Sequence, residues 1–288
     1  MMTNYELRRR MRIIVKPNMQ QLLLIALIAA LPGLLSSVVT ILTGSDLMTW
    51  LYQQSTNTSL TVGELMTAME DYMGRALYVT ASMSILQAVV APVLTLGLIN
   101  AYLILLRGGD IGVMTAFSRM RAFVRSLLLT LLMALKLFLW TLPGMGVMIL
   151  GVFLGEGGFV TTSAIGSVLM IVLLTMAVFR YAMANFFLAD DPANGPLVCI
   201  RKSKGVMKHR KMQLFSLELP YLAGSYAVST LISMLLTGVI GTALSLMVQL
   251  IFSVHLYGAM TVFFEHYAHP EHIFTPAYEK DEMKDSLN

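Results

Sequence analysis

The chain has 288 residues, 57% of them apolar and 12% charged, with a mean hydropathy of +0.73. Soluble globular domains carry roughly a quarter charged residues and under half apolar ones, so this composition excludes an ordinary water-soluble enzyme, a disordered chain and a collagen-like fibre. A formal net charge of +4 with a pI near 9.2 then becomes a question about which side of a bilayer holds the cations.

A hydrocarbon core about 30 Å thick takes about 20 apolar helical residues to cross. Six such windows are predicted, at 22–43, 76–106, 127–154, 162–189, 214–236 and 239–264. They are continuously apolar with no period-2 alternation, so they read as helices and not barrel strands. Pro92 and the Pro143-Gly144 pair are the expected kink points in the longer ones. The first window is longer than the apolar core of a secretory signal and is read as a retained span.

Seventeen of the twenty Lys and Arg fall before the first window, after the sixth, or in the connections after the second and fourth. Arg75 alone is on the other side, and Lys136 and Arg180 lie inside windows. Short loops rich in Lys and Arg stay in the cytosol, so both termini are expected to be cytoplasmic. The outer side carries Asp46, Glu64, Glu70, Asp71 and Glu156. Its long loop, 44–75, is expected to hold a short separate helix. Thr61 and Glu64 have capping-box spacing there, and Leu65, Met69 and Tyr72 share one face. The loop either connects or forms a lid.

The expected fold is an all-α polytopic membrane bundle of about six transmembrane helices with cytoplasmic amphipathic interfacial helices. Its organisation is a basic arm (1–21), three hairpins (22–106, 107–190, 191–264) and a cytoplasmic tail (265–288). Each hairpin follows a basic prelude. In the third, Asn194 can cap, Pro196 suits a first turn, and Arg201, Lys204, Lys208 and Lys211 form one stripe beside Ile200, Val206, Met207 and Leu214. Such a helix would lie in the interface, stripe toward anionic headgroups and apolar side in the acyl boundary. The same cations could serve topology alone or meet a membrane-protein partner. Nucleic acid is not an expected partner.

The segments RYAMANFFLADDP (180–192), IRKSKGVMKHRKMQLFSLELPYLAG (200–224) and LFLWTLPG (137–144) resemble a bacterial integral membrane family, domain of unknown function 975. The motif positions are Trp140, Pro143 and Gly144; Tyr181, Asp191 and Pro192; and Ser203, Lys204, Met207, Lys208, Phe215 and Glu218. The likeness covers roughly 107–267. This chain departs from the pattern by an extra hydrophobic passage, 145–176, and by Leu-Pro-Tyr after Glu218. The resemblance implies a polytopic bacterial membrane protein and carries no activity or catalytic residue.

Charges inside lipid are costly, which singles out Lys136, Arg180 and Glu218. At 1.5 Å per residue, Arg180 and Lys136 lie about 14 Å and Glu218 about 6 Å from the cytoplasmic ends of their windows. An Arg180–Glu218 ion pair is the specific expectation, as a bundle lock or as part of a polar path. The run EHYAHPEH offers His266, His269 and His272, but Pro270 interrupts any helical face and no metal template accompanies them, so no metal and no cofactor is expected. The 23 methionines are scattered and suit irregular helix contacts. Gly151 and Gly155 are read as close packing within the chain. The lone cysteine, Cys199, has no partner for an intrachain disulfide. No GxSxG, HExxH, Walker or GxGxxG motif is present, and a non-enzymatic protein of the bacterial plasma membrane is expected, as a scaffold, an accessory subunit or a lipid-responsive partner. The alternative is a small transporter or permease whose path passes Lys136, Arg180 and Glu218.

Overall fold

A computed structural model describes residues 3–43, 62–153, 155–236 and 238–269. Its regular elements among the described residues are helices. They are α1 (Asn4–Val15), α2 (Met19–Leu42), α3 (Val62–Leu106), α4 (Phe123–Val152), α5 (Gly155–Tyr181), α6 (Ala184–Asp190), α7 (Pro196–Val206), α8 (Lys211–Leu235) and α9 (Gly238–Ala268). Two short 3-10 segments, Val113–Phe117 and Met120–Ala122, join α3 to α4.

Among the described residues, five stretches are long and apolar enough to cross a membrane: Met19–Val39, Met66–Leu106, Val113–Val152, Gly158–Asp190 and Gly241–Ala268. The 25 residues of α8 occupy the place of the fifth predicted window. They are long enough to cross but more polar, because Glu218, Pro220 and several Ser, Thr and Tyr interrupt the apolar run. The longest helices pack in consecutive pairs, α2 with α3, α4 with α5 and α8 with α9.

The short separate outer helix is not what forms. Val62 to Leu106 is one helix of 45 residues, about 68 Å long at 1.5 Å per residue. The segment that follows Val62 is rich in Ala, Met, Glu and Leu and contains no proline before Pro92, so nothing ends it. Tyr72 is buried and Met69 exposed on it. Thr61 and the Glu64 and Leu65 side chains of the expected cap and face lie outside what is described.

Pro143 also sits inside a helix. The extra hydrophobic passage is therefore the end of α4, which closes at Phe153, and most of α5. Glycines let these two helices approach. A Cβ on Gly144 would come within 2.7 Å of Met170 Cβ and 2.9 Å of the Gly166 carbonyl oxygen, and one on Gly151 would strike the Thr162 side chain. Gly151 thus packs within the chain, but not through its spacing to Gly155: α4 ends at Val152 and Gly155 opens α5, so the two glycines do not share a helix face.

The core gathers at one end of the bundle. Here the apolar stripe of α1 (Leu7, Met11 and Val15) is fully buried, and Met11 and Val15 pack against Gly258 of α9 beside Tyr102 of α3. Tyr102 in turn donates its hydroxyl to the Val254 carbonyl at 2.5 Å. α1 is closed by a capping box: Thr3 Oγ1 accepts from Glu6 N–H at 3.3 Å, and Glu6 Oε2 accepts from Thr3 N–H at 2.8 Å. Away from this end the long helices expose Leu, Ile, Val and Phe side chains along their lengths.

The third prelude differs from its expectation in two ways. α7 begins with Pro196 at its first turn, but its N-cap is Gly195, and Asn194 instead accepts from Lys202 Nζ at 3.3 Å. The helix ends at Val206, His209 takes a left-handed φ of 64°, and α8 starts at Lys211. Arg201 and Lys204 are thus on one helix, Lys208 in a turn and Lys211 on the next, so the single stripe is broken. Its apolar side is not in an acyl boundary either: Ile200, Met207 and Leu214 are buried in protein and Val206 is half-buried, and Ser203 Oγ donates to the Arg180 carbonyl at 3.1 Å.

Two outcomes test this packing. Gly144→Val should destabilise the α4–α5 pair by about 1–3 kcal/mol through overpacking, whereas Gly146→Ala, where a Cβ meets nothing within 4 Å, should leave thermal unfolding in detergent unchanged. The Thr3 backbone N–H and hydroxyl hold the Glu6 carboxyl below its ordinary value of 4.5. That contribution is complete above the unfolded value and is lost as pH falls through the lower folded one. Protease cleavage within α1 should therefore accelerate in acid for the native chain, and Glu6→Gln should be cleaved with little pH dependence across that window.

Candidate functional site

At the basic end, three helix ends meet on one arginine. α3 stops at Leu106, and the chain turns through Gly108, whose φ of +77° is a conformation that glycine adopts without steric cost. Gly108 N–H donates to the Leu105 carbonyl at 3.1 Å and Gly109 N–H to that of Ile104 at 2.9 Å. This tight C-terminal closure fixes Arg107. The chain also breaks after Tyr181, so the fourth predicted window becomes α5 and the short α6. α6 buries Phe186 and Phe187 against Phe264 of α9, with ring centroids 5.6 and 4.9 Å apart, and thereby places Asp190. Glu265 follows Phe264 directly.

Arg107 Nε donates to Glu265 Oε1 at 3.2 Å and Arg107 Nη2 to Glu265 Oε2 at 3.1 Å. Its Nη2 also reaches Asp190 Oδ1 at 2.7 Å. His269 Nε2 sits 3.0 Å from Asp190 Oδ2. The Glu265 side chain is 2% exposed and that of Arg107 38%. A carboxylate buried so deeply is tolerated when a guanidinium fork meets both of its oxygens. Burial works against the Arg107 charge, but the hydrogen bonds and charges of Glu265 and Asp190 outweigh it and raise the pKa above the ordinary arginine value.

A second layer adjoins this junction. Arg119 Nη2 donates to Asn100 Oδ1 at 2.7 Å, and Asn100 Nδ2 donates to Ser118 Oγ at 2.9 Å. Arg125 donates to the Pro192 carbonyl. Tyr267 hydroxyl donates to Gln213 Oε1 at 2.8 Å, and the Arg210 guanidinium lies 4.3 Å from the centroid of the Tyr267 ring.

The residues singled out in the sequence are distributed differently. The Arg180–Glu218 ion pair is not formed. Arg180 lies over the Trp140 ring, 5.9 Å from its centroid, and Glu218 is buried with its Oε1 unpartnered. Lys136 is half-buried and makes no ion pair among the described residues. Of the proposed stripe, Arg201 and Lys208 are exposed, while Lys204 Nζ is 5.7 Å from the Tyr181 ring centroid. Of the three histidines, His266 packs against Tyr267 and His269 against Asp190, so they do not converge; His272 lies outside the described residues. No group of three or more His, Cys, Asp or Glu among the described residues is placed to hold a metal. Burial pushes the Cys199 thiol up, away from the reactive thiolate.

Sequence reasoning missed the junction. Arg107 counted only as one topogenic cation, and Asp190 as part of an Asp-Pro turn. The available signal was that all three charged groups stand at the ends of predicted windows, where helix termini converge.

Among the described residues, Arg107 is the one Lys or Arg of the basic end held in an ion pair. Arg75, at the opposite end, pairs with Asp71 of its own helix at 3.8 Å. Arg8, Arg119, Arg125, Lys202, Lys204 and Arg210 rest on carbonyls, amides or rings, which hold the side chain without cancelling its charge.

A family model described as protein of unknown function (DUF975) matches residues 1–269, so the match also takes in α1, α2 and α3, which lie before the resembling segments. No curated protein and no solved structure matches the chain.

Arg107→Ala would leave Glu265 buried and uncompensated and should cost about 3 kcal/mol, the low end for breaking a buried pair, because Arg107 is partly hydrated. Arg107→Met combined with Glu265→Gln should recover much of that loss in a double-mutant cycle on thermal unfolding. Additive losses would show that the two side chains do not act together.

Proposed function

Because the chain belongs to the DUF975 family of proteins of unknown function, we propose a reading built on its basic face: a non-enzymatic bacterial plasma-membrane protein serving as a scaffold, accessory subunit or lipid-responsive partner. In this reading the basic end is cytoplasmic and rests against anionic headgroups. One observation carries it, the set of basic-end cations left without internal counter-charges. A juxtamembrane Lys or Arg gains about 1 kcal/mol from an anionic leaflet, and a carboxylate partner would remove that gain.

The connection between α3 and α4 supports the same reading. Met114 is 79% exposed, and Phe117 and Met120 are exposed with it, alongside Arg121 and Arg125. Apolar and cationic side chains interleaved on one surface suit the boundary between headgroups and acyl chains. The Arg107 junction gives that surface a fixed base, since it ties the ends of α3, α6 and α9 together.

A second reading, a small transporter or permease, is favoured by Glu218, whose buried and unpartnered oxygen would suit a polar path. Lys136 and Arg180 make no ion pair with it, so such a path would rest on Glu218 and its own neighbours.

The lipid reading is tested in nanodiscs of mixed zwitterionic and anionic lipid. Changing Arg201, Lys204, Lys208 and Lys211 together to Gln should cut the enrichment of co-purifying anionic lipid several-fold, and raising salt should do the same to the native protein. Arg75→Gln at the other end should have no effect. Unchanged enrichment in the quadruple variant, together with loss of a stoichiometric protein in a mild-detergent pull-down, would replace lipid by a protein partner.

A further inference from the structure

Pro220 lies inside α8, and a proline has no N–H to offer the carbonyl four residues back. The Ser216 carbonyl therefore lacks its helical donor. α1 supplies one. Arg8 Nη2 donates to Ser216 O at 2.8 Å and reaches Leu217 O at 3.4 Å. Asn4 Nδ2 donates to Ser216 Oγ at 2.8 Å and approaches Gln213 O at 3.4 Å.

Each helix of this clamp carries an unmet group. Arg8 Nε is buried with no acceptor, and Glu218 Oε1, one residue beyond the carbonyls that Arg8 holds, is buried with no donor. Glu218 is 8% exposed. The elements packed on α8 are α1, α5 and α9, and each brings titratable or charged groups toward this region. α1 brings Arg8 and Arg12, which face Tyr221 of α8. α9 brings Tyr257, which faces Glu218, and His255, which stacks on Tyr221 with centroids 6.5 Å apart and turns its Nδ1 to the Ile251 carbonyl at 2.9 Å. α5 brings Arg180, engaged over Trp140. None forms an ion pair with Glu218 within the described residues.

A bare carboxylate in that position is strongly disfavoured, whereas a neutral acid is far less so. We propose that Glu218 is a proton-binding site coupled to the docking of α1. In the observed arrangement the carboxyl holds a proton, and Arg8 is free to serve the Ser216 carbonyl. When the proton leaves the Glu218 oxygen for water at the basic end, the carboxylate draws the Arg8 fork through Nε and Nη2, the contact that Arg107 already makes with Glu265. The Ser216 carbonyl then loses its donor, but the charged fork that replaces it is the stronger tie, so α1 is held to α8 more tightly. No bond to carbon changes, and the only species exchanged is the proton. The inference does not rest on the lipid reading of the basic face.

The test uses the full chain in lipid bilayers. Infrared spectra should show the carbonyl stretch of a protonated, buried carboxylic acid at neutral pH, absent in Glu218→Gln and replaced by carboxylate bands as pH rises. In a Cys199→Ala background, a thiol reagent should label Leu7→Cys, in the buried stripe of α1, several-fold more slowly at high pH once the rate is divided by that of an exposed cysteine at Tyr5→Cys, which removes the thiol's own titration. Adding Glu218→Gln should make that normalised rate independent of pH. A native spectrum with no protonated-acid band at neutral pH would overturn the proposal, and so would a band that persists unchanged in Glu218→Gln. If Glu218→Gln does not fold, Glu218→Asp must shift the band, and an unshifted band overturns the assignment. Labelling of Leu7→Cys that ignores pH while the band titrates would overturn the coupling to α1.

Discussion

Two parallel hydrogen bonds from Arg107 allow Glu265 to stay 2% exposed near the end of a 31-residue apolar helix. The same guanidinium holds Asp190, so the ends of α3, α6 and α9, far apart in the chain, are fixed at one point. The glycine closure after Leu106 and the aromatic packing of Phe186 and Phe187 on Phe264 serve this geometry, because each places one of the three charged groups. Elements beyond the junction are attached through these helices: α8 through α9 and α1, and the α4–α5 pair chiefly through α3, α6 and α7.

Toward the other end, helix association must work without expulsion of water from apolar surfaces, since lipid tails are as apolar as leucine. Close approach replaces it. Gly144, Gly151 and Gly166 bring α4 and α5 together until backbone carbonyls and side-chain carbons touch where a Cβ would stand. Prolines inside helices create the opposite problem, a carbonyl with no donor. At Pro220 the bundle answers it from outside the helix, with Arg8 of α1. The arm that reads in sequence only as a basic segment is therefore a structural strut, its apolar stripe in the protein core and Arg8 on a broken helix.

The fold class was legible because lipid-length apolar runs and clustered cations are coarse signals that survive any detail of packing. Less legible was what each prelude packs against. The pattern of α1 and α7 says that one side is apolar, and it cannot distinguish acyl chains from neighbouring helices; Leu7, Met11, Ile200 and Met207 met protein. The Arg180–Glu218 pairing failed because depth along two helices fixes height and leaves rotation about each axis free. Trp140 on the adjacent α4 was the nearer partner for Arg180. The outer helix merged with α3 because a capping box marks a start and says nothing about a stop. The Arg107 junction was hidden for another reason: residues counted for topology are not examined for partners, although a span end is where charges from different helices meet.

The placement of acids decides the character of the basic face. Glu265 and Asp190 are committed inward, to one arginine and one histidine, and Glu6 is committed to the first turn of its own helix. Aromatic rings then support cations whose charge they do not neutralise: Phe187 under Lys202, Tyr181 under Lys204 and Tyr267 under Arg210. A ring fixes the position of an ammonium or guanidinium by its quadrupole and leaves the full unit of charge available to a third party. Carboxylates in those three places would have given equal order and no external field. Asp110 and Asp191 are the further exposed acids of this end among the described residues, and the cations outnumber them, so the surface is ordered and only partly compensated, a combination that costs self-repulsion unless an anion outside the chain completes it.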